Sequence, residues 1–381
     1  MKLPVYLDYN ATTPVDERVL AEMLPWFSQN FGNAASRSHL YGWQAEEAVS
    51  IARMQVAKLL GAGDKDLVFT SGATESNNLA IKGLFEAFGK EKKHIITIAT
   101  EHKAVLDVCT HLEQFGARIT VLLPDSEGLI TTEQIADAIE ADTLLVSAMY
   151  ANNETGVIFP IEEIAKVCRE KNVFFHTDAT QAVGKFPINL RNTPIDLLSL
   201  SAHKLYGAKG VGALYVNRSN PKLKVIAQMD GGKHERGMRS GTLNVPGIVS
   251  LGKACDLARL EMKTNQEKLS FLRNKLEQSI LSKLENTSVN GGNAPRLAHV
   301  TNIAFGGVDG EMLLGNLKNI AVSSGSACTS ASVLPSHVLK AMGVKDDLAY
   351  SSIRFSLGKY TTEEEIDFTI NHVVEVIKKM R

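Results

Sequence analysis

The alternation of apolar and polar residues between about residues 64 and 216 predicts seven short strands separated by amphipathic helices. Each strand is a run of mostly apolar and β-branched residues, which is typical of strands buried on both faces. The predicted strands cover residues 67–70, 94–99, 118–123, 143–149, 173–177, 196–201 and 211–216. This repeated order of strand, helix and strand indicates a mostly parallel seven-stranded sheet between layers of helices, which is an α/β fold.

The regions on either side show a different pattern. Residues 45–61 are predicted to form one amphipathic helix that ends at Gly61, because glycine commonly terminates a helix. After Pro246 a long helical pattern runs to about residue 284, and short strands at 299–305, 320–324 and 352–357 precede a final helix at 363–380. We therefore expect a large domain over residues 15–255 and a smaller α+β domain built from residues 1–14 and 256–381.

The composition is that of an ordinary globular protein, and it narrows the classes of partner. The chain has 381 residues, of which 44% are hydrophobic and 22% charged, and its formal net charge is −1. A nearly neutral chain has no global field to attract nucleic acid or anionic lipid, so neither is expected as a partner. The N-terminus lacks the pattern of a signal peptide, and no apolar run approaches the ~20 residues of a membrane span. A cytoplasmic location is therefore expected.

The four cysteines differ in their surroundings. Cys109, Cys168 and Cys255 lie in helical patterns, where cysteine usually behaves as a small buried hydrophobic residue. Cys328 lies instead in SSGSACTSAS, residues 323–332, which offers almost nothing for packing. From spacing alone, Cys328 is either an exposed bystander or a nucleophile on a loop at about residues 323–335.

Polar and reactive side chains follow five of the predicted strands, at the point where each strand ends. They are Thr74, His102, Asn153, Asp178, Gln181, Ser201, His203 and Lys204. Ligands of open α/β sheets bind beyond the carboxyl ends of the strands. We therefore expect these side chains to form a single site.

Three of these features together predict pyridoxal phosphate as a cofactor. The turn TSGATES leads from a strand into a helix, so its backbone N–H groups suit a phosphate, although a plain helix cap is the alternative. Asp178 ends a buried strand and needs a cationic partner, which a protonated ring nitrogen supplies, unless it is only a cap. Lys204 follows another buried strand, where a lysine is costly unless a Schiff base neutralises it; a surface lysine is the alternative.

Ten short motifs, spread over nearly the whole chain, carry a resemblance to a known family: LDYNATTP (7–14), FGNAASRSH (31–39), TSGATESNN (70–78), TEHKAVLD (100–107), NNETG (152–156), DATQAVGK (178–185), SAHKLYG (201–207), HERGMRSGT (234–242), SSGSACTSAS (323–332) and SSIRFSLG (351–358). The chain resembles the class I cysteine desulfurases of the NifS/IscS type, and most of all the IscS branch. These are fold-type I pyridoxal phosphate-dependent transferases. The resemblance implies a large domain that binds the cofactor and a small domain that carries the catalytic cysteine.

The resemblance also implies roles for individual residues around the cofactor. Lys204 would form the covalent aldimine, Asp178 would keep the ring nitrogen protonated, and Gln181 would contact the ring hydroxyl. His102 would stack on the ring and move protons, with Asn153 beside it. The phosphate would be held by Thr74, Ser201, His203, the backbone of Ala73 and, from the second subunit of a homodimer, Thr242.

For the substrate, the resemblance implies that Arg354 and Asn153 bind L-cysteine and that Cys328 is the nucleophile. The products would be L-alanine and a persulfide on Cys328, with His102 as a proton acceptor for the thiol. The sulfur would then pass to acceptor proteins for iron–sulfur cluster assembly, including an IscU-like scaffold, and also for tRNA or cofactor thiolation. No resident metal is implied, although Cys328 would be able to ligate a 2Fe-2S cluster transiently together with the scaffold.

Other readings remain open from the sequence. A selenocysteine lyase, an aminotransferase or another fold-type I enzyme would use the same cofactor residues without Cys328, and a non-catalytic sulfur carrier would keep only the fold. The chain ends at Arg381, where IscS-type members usually carry a further tail that helps to dock the scaffold, so we expect a different docking mode or other acceptors. The basic cluster His234, Arg236 and Arg239 is expected to contact an anion or a second subunit.

Overall fold

The computed structural model describes residues 2–324 and 335–381. Cys328 and most of the motif around it therefore lie outside the described residues. The strands are β1 Val5–Tyr6, β2 Leu67–Thr70, β3 His94–Ile98, β4 Arg118–Leu122, β5 Thr143–Ser147, β6 Phe174–Asp178, β7 Leu197–Ser201, β8 Gly212–Val216, β9 Thr287–Val289, β10 Val300–Phe305, β11 Ile320–Ala321 and β12 Ser352–Ser356.

The helices follow the amphipathic stretches of the sequence. They are α1 Glu17–Met23, α2 Pro25–Ser28, α3 Leu40–Leu60, α4 Ala73–Phe88, α5 Lys103–Glu113, α6 Thr132–Ala138, α7 Ile161–Glu170, α8 Val245–Lys283, α9 Gly310–Asn316, α10 His337–Ala341, α11 Asp346–Tyr350 and α12 Glu363–Met380. Local signals set several of these ends: Gly61 ends α3 with a left-handed φ of 65°, and Thr131 and Gln134 cap each other at the start of α6,.

All seven predicted strands of the central region form one sheet, in the order β2-β8-β7-β6-β5-β3-β4. The pairs β3–β4, β3–β5, β5–β6 and β6–β7 are parallel, whereas β8 runs antiparallel to both of its neighbours. The predicted α/β class with a mostly parallel sheet is therefore confirmed. Because β2, β3, β5, β6 and β7 point the same way, their carboxyl ends meet at one edge of the sheet.

Both faces of this sheet are covered by helices. One hydrophobic cluster joins alternate strand residues to α3, α7 and the first half of α8, and it includes Phe69, Ile96 and Phe175. A second cluster joins the intervening residues to α4 and α5, and it includes Val68 and Ile95. The strands are apolar on both sides because each side packs against a helical layer.

A separate cluster holds the C-terminal elements together. The antiparallel sheet β12-β10-β9 packs with α9, α12 and the second half of α8. Val5 and Leu7 belong to this same cluster, because β1 pairs in parallel with β11. The sequence pattern predicted neither β1 nor β9. The separation of this cluster from the two clusters of the large sheet supports the expected division into a large and a small domain, whose boundaries stay a prediction.

Three further observations bear on the sequence-based expectations. Cys109, Cys168 and Cys255 are free thiols and are buried, as predicted. In the part of the chain that the structure describes, no helix combines the length and apolar character needed to cross a membrane. The acidic residues Glu140 and Asp142 approach His94, but Thr143 and Thr120 occupy both ring nitrogens of that histidine.

Candidate active site

The turn after β2 forms a cradle at the start of α4. Gly72 caps this helix without a side-chain hydrogen bond, and its φ of 150° lies in a region that favours glycine,. A Cβ atom on Gly212 would lie 2.7 Å from the Cα of Gly72, and one on Gly72 would lie 3.6 Å from Oγ of Ser201. Because neither glycine has a side chain, Ser201 lies close to the N-terminus of α4, which begins with Ala73 and Thr74. This geometry suits an anionic group.

Asp178 ends β6 and is buried beside two hydrogen-bond donors. Its Oδ2 accepts a hydrogen bond of 2.8 Å from the amide of Asn77, and its Oδ1 accepts one of 3.0 Å from the backbone N–H of Thr180. None of the described residues that contact Asp178 supplies the cationic partner that the sequence predicts. Asn77 lies in the motif TSGATESNN, but the sequence analysis gave it no role.

Glu101 is a second buried acid that the sequence analysis did not single out. Burial and the nearby charge of Asp178 raise its pKa well above the usual range for a glutamate. Its Oε1 accepts a hydrogen bond from the backbone N–H of Met149, while its Oε2 has no hydrogen-bond partner among the described residues. Burial and the neighbouring carboxylate therefore favour the protonated form of Glu101.

His102 caps the N-terminus of α5 with its ring. The backbone N–H of Ala104 donates to Nδ1 of His102 at 3.1 Å, so the neutral ring carries its proton on Nε2. Burial is the largest cause of its lowered pKa; Lys204 and His337 lower it further, whereas Asp178 raises it. His102 and Thr74 line the same cleft of about 380 Å³. The structure thus brings together these two residues, which the sequence predicted to share a site.

Lys204 lies at the end of a 3₁₀ turn, Ala202–Lys204, which follows β7 directly. Its side chain is half-buried, so the expectation of a buried lysine was wrong. The turn directs Nζ towards the N-terminal segment, where it donates to the carbonyl of Asn10 at 2.5 Å and to that of Ala11 at 2.7 Å. Backbone carbonyls replace part of the water that a charged amine would otherwise need.

Gln181 shares one of these carbonyls with Lys204. Its Nε2 donates to the carbonyl of Asn10 at 3.1 Å, and its Oε1 accepts from Nζ of Lys185 at 3.1 Å. Burial lowers the pKa of Lys185 to about 7, helped by the positive charges of Lys204 and Arg354. Lys185 and Asn10 are both site residues that the sequence analysis missed. Their only signal was membership of the motifs DATQAVGK and LDYNATTP.

Arg354 lies on β12 and reaches towards the same region. Its side chain is only 5% exposed and pairs with Asp8 at 2.6 Å, while Nη1 donates to the carbonyl of Asn153 at 3.0 Å. The buried Nε has no hydrogen-bond partner in residues 2–324 and 335–381. An arginine with an unused donor suits a carboxylate ligand.

The residues on either side of segment 325–334 contact this site. Before it, the backbone N–H of Arg354 donates to the carbonyl of Ser323 at 2.7 Å. After it, the hydroxyl of Ser336 donates to the buried carboxylate of Glu154, and Nε2 of His337 donates to the carbonyl of Glu101 at 2.9 Å. The residues that flank segment 325–334 therefore lie beside the predicted substrate residues.

Two predicted phosphate residues lie in different environments. His203 contacts Oγ1 of Thr12 through Nδ1 at 3.2 Å, and burial lowers its pKa to about 4, aided by the charges of Lys204, Lys209 and Lys185. Thr242 is exposed, and the described contacts of this chain do not bring it to the other cofactor residues. Nearby, Arg239 pairs with Glu75 of α4 at 2.8 Å.

A buried polar row crosses the sheet below Asp178. His176 of β6 is hydrogen-bonded through Nδ1 to Ser147 of β5 at 2.8 Å and through Nε2 to Ser199 of β7 at 3.1 Å. Burial lowers the pKa of His176 to about 4, despite the opposing charge of Asp178. Because residues two apart on a strand share a face, this neutral histidine lies on the same face as Asp178.

Comparisons with known proteins were made for the whole chain. The family model for "Aminotransferase class-V" matches residues 5–368. A protein of Anaeromyxobacter sp. (strain Fw109-5), named "Cysteine desulfurase IscS", is 55% identical over 100% of this chain and 94% of its own length. A solved structure of a "NIFS-LIKE PROTEIN" covers 98% of this chain and 99% of its own, with a TM-score of 0.90 and 37% identity. Another, "SspA in complex with cysteine", covers 94% and 100%, with a TM-score of 0.83 and 38% identity.

Proposed function

The chain belongs to the aminotransferase class-V family and is a pyridoxal phosphate-dependent cysteine desulfurase, and from this premise we propose the residues that remove sulfur from L-cysteine. Cys328 receives the sulfur as a persulfide, and L-alanine is released. The observation that most supports this assignment is the position of the chain on both sides of segment 325–334. Ser323 contacts Arg354, and His337 contacts Glu101.

The residues around the sheet edge fit pyridoxal phosphate. The turn at Gly72, against which a Cβ on Gly212 would lie 2.7 Å from Cα, suits the phosphate, with Thr74, Ser201, His203 and the backbone of Ala73 as its ligands. Asp178 is a charged acceptor for the ring nitrogen, Gln181 and Asn153 lie beside the ring, and Lys204 provides the amine that binds the aldehyde. When bound, this cofactor stabilises the electron pair left at the substrate Cα after its proton is removed.

The neighbours of Asp178 support its role as the ionised partner of the ring nitrogen. Burial and the nearby Asp178 both raise the pKa of Glu101, which favours a protonated Glu101 beside Asp178. Asn77 fixes the orientation of the Asp178 carboxylate with its 2.8 Å hydrogen bond. Asp178 is thereby oriented to accept a hydrogen bond from the protonated ring nitrogen of the cofactor.

We assign substrate binding to Arg354 and proton movement to Lys204 and His102. The Nε of Arg354, which has no hydrogen-bond partner among the described residues, offers a donor to the carboxylate of L-cysteine,. The amine of Lys204, once free, takes the proton from the substrate Cα. His102 holds its proton on Nε2 and can donate it there. To act as the acceptor for the Cys328 thiol proton at Nδ1, it must first release the N–H of Ala104.

The sulfur transfer itself is a displacement at the sulfur of the substrate. The Cys328 thiolate forms an S–S bond, and the bond between the substrate Cβ and its sulfur breaks. The electron pair of the broken bond stays with the carbon fragment, which takes up a proton at Cβ, regains one at Cα and leaves as L-alanine. The outer sulfur of the persulfide is then open to attack by the thiolate of an acceptor protein.

We further propose that the enzyme is a homodimer and passes sulfur to an IscU-like scaffold for iron–sulfur assembly. Large apolar side chains are exposed between residues 20 and 43, among them Leu24, Phe27 and Phe31, as at a subunit interface. The exposed position of Thr242 supports the proposal that it contacts the cofactor phosphate bound by a second copy of the chain. The free buried thiols and the persulfide chemistry support a cytoplasmic, reducing location.

The test is to replace Cys328 with serine and to compare it with Cys109→Ala. Cys109 is buried, and burial raises its pKa to about 12, so its thiol is inert and its loss should leave turnover intact. Cys328→Ser should keep the yellow absorbance of bound pyridoxal phosphate but release no alanine from L-cysteine and form no persulfide. Full turnover by Cys328→Ser would reject the desulfurase mechanism in favour of a lyase or an aminotransferase that does not use this thiol.

A further inference from the structure

The segment of residues 7–14 lies across the edge of the sheet at Lys204. Asn10 is its most buried polar residue and is 1% exposed. Its backbone N–H donates to Oγ of Ser356 at 2.9 Å, and its carbonyl accepts from both Gln181 and Lys204. One residue of the N-terminal segment therefore contacts the loop after β6, the C-terminal sheet and the cofactor lysine.

The side chain of Asn10 uses both its donor and its acceptor. Nδ2 donates to the carbonyl of Asn153 at 3.0 Å, and Oδ1 is 2.9 Å from Nε2 of His299. His299 is fully buried, which lowers its pKa well below the usual range, and the charges of Lys185, Arg273 and Arg354 act in the same direction. Because an amide oxygen only accepts hydrogen bonds, Nε2 of His299 is the donor to Oδ1,. These two bonds fix the position of the Asn10 backbone.

The amine of Lys204 meets two fixed acceptors. The carbonyls of Asn10 and Ala11 accept from Nζ at 2.5 and 2.7 Å, and a carbonyl oxygen can only accept a hydrogen bond. An ammonium group makes stronger hydrogen bonds to carbonyls than a neutral amine does, so this pair of carbonyls favours the charged form. Thr13 fastens the same segment to the carbonyl of His203 through its hydroxyl at 3.0 Å.

We propose that the carbonyls of Asn10 and Ala11 form a resting site for the free amine of Lys204, and that Asn10 is the positioning residue that holds this site in place. This inference rests on the proposed function of Lys204 as the lysine that binds the cofactor. In the cofactor-free protein, and after the amine has taken the proton from the substrate, the resting site holds Lys204 beside Gln181 as a protonated group. Lys204 must leave the resting site and lose a proton before it can react with an aldehyde again.

The test measures the chemical reactivity of Lys204 in cofactor-free protein. Formaldehyde with cyanoborohydride methylates only neutral, accessible amines, and mass spectrometry gives the rate at each lysine. Lys204 should be methylated about tenfold faster in Asn10→Ala than in the unchanged protein, which corresponds to about 1.4 kcal/mol. His299→Ala should act in the same direction, whereas His299→Gln, whose amide can still donate to Oδ1, should restore the slow rate.

The control variant is Asn290→Ala, which removes another buried asparagine with two side-chain hydrogen bonds. It should lower the free energy of unfolding without changing the methylation rate of Lys204. An unchanged rate in both Asn10→Ala and His299→Ala would overturn the proposal. The proposed function is tested separately: borohydride reduction after adding pyridoxal phosphate must label Lys204, and labelling of a different lysine would instead reject the role of Lys204.

Discussion

Replacing Glu235 with alanine should lower the free energy of unfolding by about 3–5 kcal/mol, because it strands a buried arginine. The side chain of Glu235 is 2% exposed and that of Arg53 is 11% exposed. Nη2 of Arg53 donates to Glu235 at 2.6 Å and Nη1 at 2.9 Å, and the backbone N–H of Phe69 donates to it at 2.8 Å. This carboxylate therefore joins α3, β2 and the loop of residues 234–242.

The magnitude follows from what the alanine variant leaves behind. The Arg53 guanidinium would keep only the carbonyl of Leu67, at 2.7 Å, among its described hydrogen-bond partners, and the N–H of Phe69 would be left without an acceptor. Each charge-assisted hydrogen bond is worth about 1.5–3 kcal/mol, and the cost of a stranded buried charge is about 3–5 kcal/mol. The loop also carries Arg239 and Thr242, so its loosening should weaken the phosphate site as well.

The assay is equilibrium unfolding in urea, followed by circular dichroism at fixed protein and pyridoxal phosphate concentrations. Removing both charges, as in Arg53→Met with Glu235→Leu, should cost less than Glu235→Ala alone, because no buried charge remains unpaired. A loss below about 1 kcal/mol for Glu235→Ala, which is the range of an exposed ion pair, would refute this reasoning.

Two further predictions concern the cradle and the buried histidine. Gly212→Ala should weaken pyridoxal phosphate binding at least about tenfold, because its Cβ would lie 2.7 Å from the backbone of Gly72. Equilibrium titration with pyridoxal phosphate measures this change. The control Gly315→Ala, where a Cβ meets nothing within 4 Å, should bind the cofactor normally. Because burial lowers the pKa of His176 from 6.5 to about 4, the folded state binds fewer protons than the unfolded state between these pH values, and the free energy of unfolding should fall as pH is lowered through this window. His176→Gln should flatten that dependence in urea unfolding curves recorded at several pH values, and an unchanged slope would contradict the neutral state of His176.

The strands and helices of the central sheet were predictable because their signals are local. Apolar runs on β3 and β5 indicate burial on both faces, and the Thr131–Gln134 capping box marks the start of α6 within four residues of sequence,. The meeting of His102, Asp178 and Lys204 at one edge followed from the rule that parallel strands end together. Those predictions needed only the order of the elements.

The expectation of a buried Lys204 failed for a reason that the sequence could not reveal. The 3₁₀ turn after β7 moves the lysine away from the strand end, and the N-terminal segment supplies its acceptors. That segment is in turn held by His299, which lies 289 residues away from Asn10 along the chain. Apolar periodicity carries no information about such a polar contact.

The sequence by itself thus determined the element order, the sheet edge and the residue types that suit the cofactor, because these depend on local periodicity and on strand direction. Only the tertiary structure decided that burial raises the pKa of Glu101, which carbonyls accept from the amine of Lys204 and what fixes Asn10. Protonation states and hydrogen-bond partners depend on burial and on charges contributed by distant parts of the chain. The packing of the large-sheet core and the C-terminal core against the N-terminal segment determines which of these groups become neighbours.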